Sequence, residues 1–476
     1  MTDLLKTDLC VIGAGSGGLS VAAGASQMGA DTVLVEAEKM GGDCLNYGCV
    51  PSKALLAAGH AAHRPTQLAA FGLSRPATEI NFSAVHQHVH DVIKTIAPND
   101  SRERFTGLGV NVITATGQFI DRQTLQAGTQ KIRAKRFVIA TGSKPAIPPL
   151  PGLDKVPYLT NENIFDLTTC PEHLIIIGGG PIGLEMAQAF HRLGARVTVL
   201  ALAFMEQDDP EMSNLLLAQL REEGIDLRTI TAIEDIHHDA DHGYTIEHLI
   251  KGQDHRIHGS HLLVATGRTP NLSALNLDAA KVDHDARGIT VNKRLRTSNP
   301  RIYAIGDVTG GYQFTHMAGY DAGIIIRNIL FRIPSSVDHR AVPRVTFTDP
   351  EMAHVGLRED QARENHGQDL RILRWPFSEN DRAQAERHTG GMIKVVTTRR
   401  GKILGATIIG PHAGEVIQSW QLAISQKLNI SAMANMIAPY PTYGEISKRV
   451  SGSFYTPSLF NEKTRKMVRI LFRMLP

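Results

Sequence analysis

Cysteine is scarce in this 476-residue chain, four in all, and aromatic residues make up only 5%. So few cysteines exclude a disulfide-stapled secreted scaffold and fit a reducing compartment. Neither sign of charge dominates: 50 Lys and Arg stand against 47 Asp and Glu, and the resulting +3 excludes the broad basic field of a nucleic-acid binder. No run of about 20 apolar residues could span a bilayer, and Met1-Thr2-Asp3-Leu4-Leu5-Lys6 lacks the apolar stretch of a signal peptide. With 42% hydrophobic residues, the chain has core enough for two to four domains. These limits lead us to expect an α/β enzyme of cytoplasmic type.

What cysteine there is falls in a telling place. Cys44 and Cys49 lie in Gly41-Gly42-Asp43-Cys44-Leu45-Asn46-Tyr47-Gly48-Cys49-Val50-Pro51-Ser52-Lys53. Val50-Pro51 reads as a helix entry, because proline tolerates the first turn, and Ser52 to Ala58 continues as good helix former. A thiol at a helix N-terminus with a lysine nearby has its pKa lowered, and thiolate is the reactive form, so Cys49 is the expected thiolate. Cys44, in a glycine-flanked loop, is expected to be the more accessible sulfur. The alternative is a structural or zinc pair, but the second half of a zinc site is missing at ligand spacing. Cys10, in the first apolar strand, and Cys170, before the strand at His173, read as inert.

A second signal is an internal repeat. Asp8-Leu9-Cys10-Val11-Ile12-Gly13-Ala14-Gly15-Ser16-Gly17-Gly18 runs from strand to helix, and His173-Leu174-Ile175-Ile176-Ile177-Gly178-Gly179-Gly180-Pro181-Ile182-Gly183 does the same further on. Met28-Gly29-Ala30 and Thr32-Val33-Leu34-Val35 match Leu193-Gly194-Ala195 and Val197-Thr198-Val199-Leu200 in the same register. Two such βαβ units in register predict two dinucleotide sites, at Gly13, Gly15 and Gly18 and at Gly178, Gly180 and Gly183. One glycine makes the tight turn, one admits the pyrophosphate to the backbone, and one lets helix meet strand. Glu36 stands where an acid accepts from an adenosine ribose, as in FAD. Its counterpart is Ala201, and Ala201-Leu202-Ala203-Phe204-Met205-Glu206 has no cation for a 2′-phosphate, which leans the second site toward NADH over NADPH.

With Ala140-Thr141-Gly142, Ala265-Thr266-Gly267, Tyr303-Ala304-Ile305-Gly306-Asp307 and Asp349-Pro350-Glu351-Met352-Ala353-His354-Val355-Gly356, the chain resembles the class I pyridine nucleotide-disulfide oxidoreductases from about residue 6 to about 460. That family includes dihydrolipoamide dehydrogenase, glutathione reductase and mercuric reductase. The resemblance implies FAD, NAD(P)H and a homodimer with a shared active site. Cys49 would lie against the flavin as the charge-transfer sulfur, Cys44 would exchange with a disulfide or dithiol acceptor, and Lys53 would lie near flavin N5. Glu185 would pair with Lys53 and touch the nicotinamide. Asp307 would bind the ribityl chain, with Thr141, Gly142, Gly267 and Gly306 in the cofactor-binding motifs. The helix opened by Thr315, His316, Met317 and Ala318 would aim its N-terminus at the pyrimidine end of the ring.

The chain also departs from the family. Where dithiol-using members have His-Pro-Thr-x-x-Glu, supplied by the partner subunit, this chain has Tyr440-Pro441-Thr442-Tyr443-Gly444-Glu445. A phenol pKa near 10, against about 6.5 for imidazole, makes Tyr440 a poor base although Glu445 is kept. Tyrosine here is similar to mercuric reductase. No cysteine follows Cys170 in place of that enzyme's C-terminal pair, and its N-terminal metal-binding module is not expected here. His86, His88 and His90 read as a surface patch on an amphipathic helix ending near Ala97-Pro98, so no metal site is expected.

The expected architecture is α/β, with two Rossmann-type domains for FAD (1–147 and 270–335) and NAD(P) (150–268) and a C-terminal α+β dimerisation domain (341–476). Pro145, Pro148, Pro149, Pro151 and Gly152 mark the first crossing. The tail 463–476 alternates five basic with seven large apolar residues and would either pack on the dimer or lie on an anionic membrane. The leading activity is passage of two electrons from NAD(P)H to a disulfide or dithiol acceptor through the Cys44–Cys49 pair. The alternative is a flavin-linked reductase of metal ions, quinones or oxidants, met at a membrane surface.

Overall fold

The computed structural model describes residues 4–74 and 79–475. The chain divides into two compact units: Met1–Gly178 with Ala189–Leu202 and Ile230–Val337, and Gly179–Gln188 with Ala203–Thr229 and Asp338–Pro476.

In the first unit the strand Leu4–Ile12 feeds the helix Ser16–Gln27, and the chain returns as the strand Thr32–Glu36, parallel to the first, with Cys10 beside Val33. The strand Gln130–Ile139 pairs parallel on the other side, with Cys10 beside Phe137. The sheet runs Asn111–Thr114, Thr32–Glu36, Leu4–Ile12, Gln130–Ile139, Thr124–Ala127, Gly117–Asp121, and Ile302–Ala304 is added on Gln130–Ile139. Leu9-Cys10-Val11-Ile12 is apolar at every position because both faces of the sheet are covered. Successive side chains point to opposite faces. Thus Cys10 and Ile12 pack with Val33, Phe119 and Phe137, while Leu9 and Val11 pack with Leu19, Val21 and Phe105. Cys10 is fully buried, and burial pushes its thiol pKa well up, so it is inert as its strand position predicts.

The repeat is visible as structure. The strand His173–Gly179 leads into the helix Pro181–Arg192 and then the strand Arg196–Phe204, and Leu174 to Ile177 pair parallel with His261 to Val264. A three-stranded antiparallel sheet follows, Ala232–Asp239, Gly243–Ile250 and Gln253–Gly259. The proline-marked crossing and its return meet as a small antiparallel ribbon, Ser143–Pro145 against Arg268–Pro270, with Arg268 beside Pro145.

The second unit is built on a five-stranded antiparallel sheet in the order Pro343–Thr346, Glu351–Gly356, Ile403–Gly410, Met392–Thr398, Leu370–Pro376. Its core gathers Phe377, Ile393, Val395, Ile408 and Trp420, all fully buried. The Trp420 indole N–H donates to the Ser447 hydroxyl at 3.0 Å, which satisfies the one polar atom of that ring. Lys394, only 4% exposed, lies within 3 Å of Asp209, Glu211 and Glu359. A buried ammonium persists when carboxylates surround it in this way. The chain ends in the helix Glu462–Arg473, none of whose side chains is buried. Among the described residues no helix is long and apolar enough to cross a membrane.

Candidate active site

The thiol segment is anchored to the first glycine-rich turn. The Gly41 N–H donates to the Ala14 carbonyl at 2.9 Å, and a Cβ on Gly42 would meet Gly15 Cα at 2.8 Å, so position 42 has no room for a side chain. Cys44 sits on the short helix Gly42–Asn46, and Cys49 is the first residue of the helix Cys49–His63. Cys49 Sγ lies 3.3 Å from the Thr315 hydroxyl. A hydrogen bond from the Cys44 thiol, the Thr315 contact and the charge of Lys53 together hold Cys49 at a pKa of about 6, against the opposing effect of burial. Cys44 is pushed well up, first because its thiol proton is shared with Cys49 and then by burial. This arrangement favours the thiolate on Cys49, the cysteine at the helix start, over Cys44.

Local structure corrects one expectation from sequence: Cys44 is held on a helical turn and not in an open loop. Cys170 is half-buried, with its pKa raised by burial.

Beside Cys44 lies a cluster that the motif reading missed. Arg268, 11% exposed, reaches Asp43 at 3.0 Å and donates from Nε to the Ser143 hydroxyl at 2.7 Å and from Nη2 to the Ser143 carbonyl at 2.9 Å. The Ser143 hydroxyl in turn donates to Asp307 Oδ2 at 2.6 Å. Asn161 Nδ2 donates to Asp43 Oδ1 at 3.0 Å and to the Tyr47 carbonyl at 3.2 Å. Burial raises the Asp307 pKa, opposed by Ser143 and Arg268. The signals were available: Asp43 lies inside the thiol motif and Arg268 directly follows Ala265-Thr266-Gly267. Neither residue type announces the pairing.

Both glycine-rich turns have the form that a dinucleotide needs. Gly13 (φ +103°) would place a Cβ 2.3 Å from the Ala140 carbonyl, and Gly178 (φ +129°) would place one 2.3 Å from the Ala265 carbonyl. Each turn thus presses on the alanine that opens its Ala-Thr-Gly motif. A Cβ on Gly18 would sit 1.9 Å from the Gly13 carbonyl, so only glycine lets that helix approach. Gly15 and Gly180 have nothing within 4 Å of a built Cβ, which leaves the backbone open to a pyrophosphate. Glu36 Oε2 accepts from the Ala14 N–H at 2.5 Å and Oε1 from Glu38 N–H at 2.8 Å, which fixes the carboxylate at the end of its strand.

The remaining expected residues surround this cradle. Thr141 donates to the Asn271 carbonyl at 2.9 Å, and the Asn271 N–H donates back to Gly142 at 3.0 Å. Thr266 donates to the Ala146 carbonyl at 2.8 Å, which ties the loop that carries Gly267 to the first crossing. Gly306 adopts φ +69° before Asp307. The helix Thr315–Ile329 starts at Phe314 without a side-chain cap hydrogen bond. Its small Ala318 lies 3.2 Å from a Cβ built on Gly17, where the two helices cross, and His316 stacks on Phe314 with centroids 5.2 Å apart. These features fit FAD at the first turn. Gly15→Ala supplies a check: the fold should be unaffected, since nothing crowds that position, while FAD affinity should fall roughly ten- to hundredfold, read by flavin retained on gel filtration.

In the second unit Glu185, 4% exposed, accepts from the Phe347 N–H at 2.9 Å. Tyr440, 67% exposed, donates to Asp381 Oδ2 at 2.8 Å. Glu445 opens the helix Glu445–Ser453 and pairs with Arg449 at 2.9 Å. Among the described residues, no group of three or more His, Cys, Asp or Glu side chains could hold a metal ion. His86 and His90 share a helix face with rings 4.2 Å apart.

Comparison with known proteins is consistent with this geometry. Residues 7–322 match the family described as pyridine nucleotide-disulphide oxidoreductase, and residues 342–450 match its dimerisation domain. A mercuric reductase of Bacillus cereus is 36% identical over 442 residues, 92% of this chain and 70% of that protein. A dihydrolipoyl dehydrogenase of Geobacillus stearothermophilus is 33% identical over 452 residues, 93% of this chain and 95% of that protein. The solved Cu(II) complex of an HOCl-induced flavoprotein disulfide reductase from Escherichia coli superposes with TM-score 0.84 at 26% identity, covering 94% of this chain and 99% of that one. The expected fold class, FAD and NAD(P)H dependence, a dimerisation domain and oxidoreductase activity toward a disulfide-type acceptor all follow. The chain belongs to the pyridine nucleotide-disulphide oxidoreductase family.

Proposed function

We propose that Cys49 is the sulfur that faces the flavin and Cys44 the one that exchanges with a small-molecule or protein disulfide. The observation that carries this reading is geometric: Cys49 opens its helix with its sulfur 3.3 Å from the Thr315 hydroxyl, and the Cys44 thiol beside it hydrogen-bonds to it, which lowers the pKa of Cys49 and raises that of Cys44. Bound FAD would supply the two-electron relay from NAD(P)H. The residues do the rest: Cys44 attacks the acceptor disulfide as its proton passes to a neighbouring group, one acceptor sulfur leaves as thiolate, and Cys49 then displaces the other. The acceptor gains two electrons, together with one proton that began on Cys44 and one taken from solvent, and Cys44–Cys49 becomes a disulfide. Lys53 keeps the thiolate charged, Thr315 steadies it, and Glu185 borders the nicotinamide position. Tyr440 and Glu445 would come from the partner subunit of a homodimer. Tyr440, a donor by its bond to Asp381, suits protonation of a leaving thiolate better than abstraction of a proton. This favours acceptor reduction over dithiol oxidation.

The region boundaries that fit these roles are 1–147 with 270–335 for FAD, 150–268 for the nicotinamide nucleotide and 341–476 for dimerisation. An anaerobic NADH titration followed by a panel of lipoamide, glutathione disulfide, quinone, Cu(II) and Hg(II) tests the reading. Turnover of a metal or quinone that survives loss of both thiols would defeat it. The nucleotide choice has its own expected result. The segment Ala201-Leu202-Ala203-Phe204-Met205-Glu206 carries no basic side chain for a 2′-phosphate, and kcat/KM for NADH should exceed that for NADPH at least about tenfold. We place the enzyme in the cytoplasm. A second reading, an acceptor met at the membrane surface, is favoured by one observation, the exposed C-terminal helix.

A further inference from the structure

We propose that the helix Glu462–Arg473 seats this enzyme on an anionic lipid bilayer, lying in the plane of its surface. The inference takes up the membrane reading above and rests on no residue of the thiol site.

The helix has a fixed start. Asn461 Oδ1 accepts from the Thr464 N–H at 2.9 Å, and its Nδ2 donates to the Ser458 carbonyl at 2.7 Å. From there the sequence sorts into two faces. Val468, Leu471 and Phe472 fall at i, i+3 and i+4, and with Met474 and Leu475 they form one apolar surface. Phe472 is 70% exposed and Met474 75%, an arrangement that water penalises and that needs a cover. Lys466, Arg469 and Arg473 recur at i, i+3 and i+7 on the opposite side, with Arg465 beside them.

Charge identifies the cover. Five of the chain's 50 basic residues lie here against one of its 47 acidic residues, so the helix carries +4 and the remainder of the chain is left at −1. A second copy of the chain, at +3 overall, offers far less negative charge to meet the helix than an anionic bilayer does. The match to the dimerisation domain ends at residue 450, before the helix begins. An anionic bilayer satisfies both faces at once: lipid phosphates take the guanidinium and ammonium groups, and the headgroup–acyl boundary takes the leucines and phenylalanine. At twelve residues the helix is about 18 Å long, too short for the roughly 30 Å hydrocarbon core, so it lies along the surface.

Flotation of the full-length FAD enzyme with lipid vesicles tests this. The enzyme should float with vesicles containing about one third phosphatidylglycerol, at least about tenfold more than with phosphatidylcholine alone, and should lose most of that binding in about 0.5 M salt. A chain ending at Asn461 should stay in solution while keeping its turnover of a soluble acceptor. The pair Leu471→Gln with Phe472→Gln, which keeps every charge, should also lose flotation, and stands in should the shortened chain misfold. Absence of flotation with anionic vesicles, or equal flotation without the helix, would overturn the proposal. So would a shortened chain whose oligomeric mass falls while the full-length enzyme ignores lipid, which would place the helix between copies of the chain. Failure of the disulfide reading would appear separately, as missing turnover in the lipid-free assay.

Discussion

Replacing either Cys44 or Cys49 with serine should lower NADH-dependent disulfide reduction by at least about a thousandfold while FAD stays bound. In the proposed mechanism each sulfur does a job that the other cannot take over. Without Cys44 nothing attacks the acceptor, and without Cys49 the mixed disulfide on Cys44 has no second thiol to resolve it. Alkylation of the reduced chain freed of FAD, which would otherwise cover Cys49, separates the two thiols. Cys49 should then react first, at a rate that rises as pH passes about 6, because its thiolate forms above that value and its thiol below it. Cys44, whose pKa is raised, should react slowly across the same range. In Cys44→Ala the hydrogen bond that contributes most to the low value is gone, so the inflection of Cys49 should move upward toward that of an ordinary thiol. An unchanged inflection would mean that Cys44 does not hold the thiolate.

Tyr440→His should raise oxidation of dihydrolipoamide by roughly a hundredfold or more, the span a positioned general base contributes. The phenol now donates to Asp381, and that carboxylate raises its pKa above the ordinary tyrosine value, so at neutral pH it cannot take a proton. An imidazole in the same place would titrate near neutrality, with Asp381 able to orient the ring as carboxylates commonly do. The gain should appear in kcat as pH rises from about 6 to 8, where imidazole becomes neutral. Tyr440→Phe, which removes only the hydroxyl, should give no gain. Equal rates for the histidine variant and the natural chain would show that the acceptor, and not the base, limits dithiol turnover.

The legible parts of this protein were those with a strict backbone requirement. Gly13, Gly18 and Gly178 could be recognised because turns that press on a carbonyl tolerate no side chain, and the repeat of such turns revealed two βαβ units. Cys49 at its helix start was legible because proline two residues on marks a first turn. Arg268, Ser143 and Asn161 were not, since their partners are far away in sequence and polar residues in loops have no periodicity to betray a contact. The loop expected around Cys44 was misjudged for a related reason: Gly41 and Gly42, both at positive φ, read as loop, yet they turn the chain into the helical turn that carries Cys44. The link between Cys49 and Thr315 joins a motif to a helix start that had each been noted without any sign that they touch.

Arg268 has a consequence for the order in which the molecule is made. The guanidinium that fastens Asp43 beside Cys44 lies on the return strand Arg268–Pro270, which leaves the ribosome long after the cysteines do. During synthesis the sulfur-bearing turn is complete in sequence but lacks its clasp until the middle of the chain has been translated and has paired with Ser143–Pro145. A nascent chain arrested before that strand should therefore carry two loosely held cysteines, open to oxidants and to mispairing with other thiols.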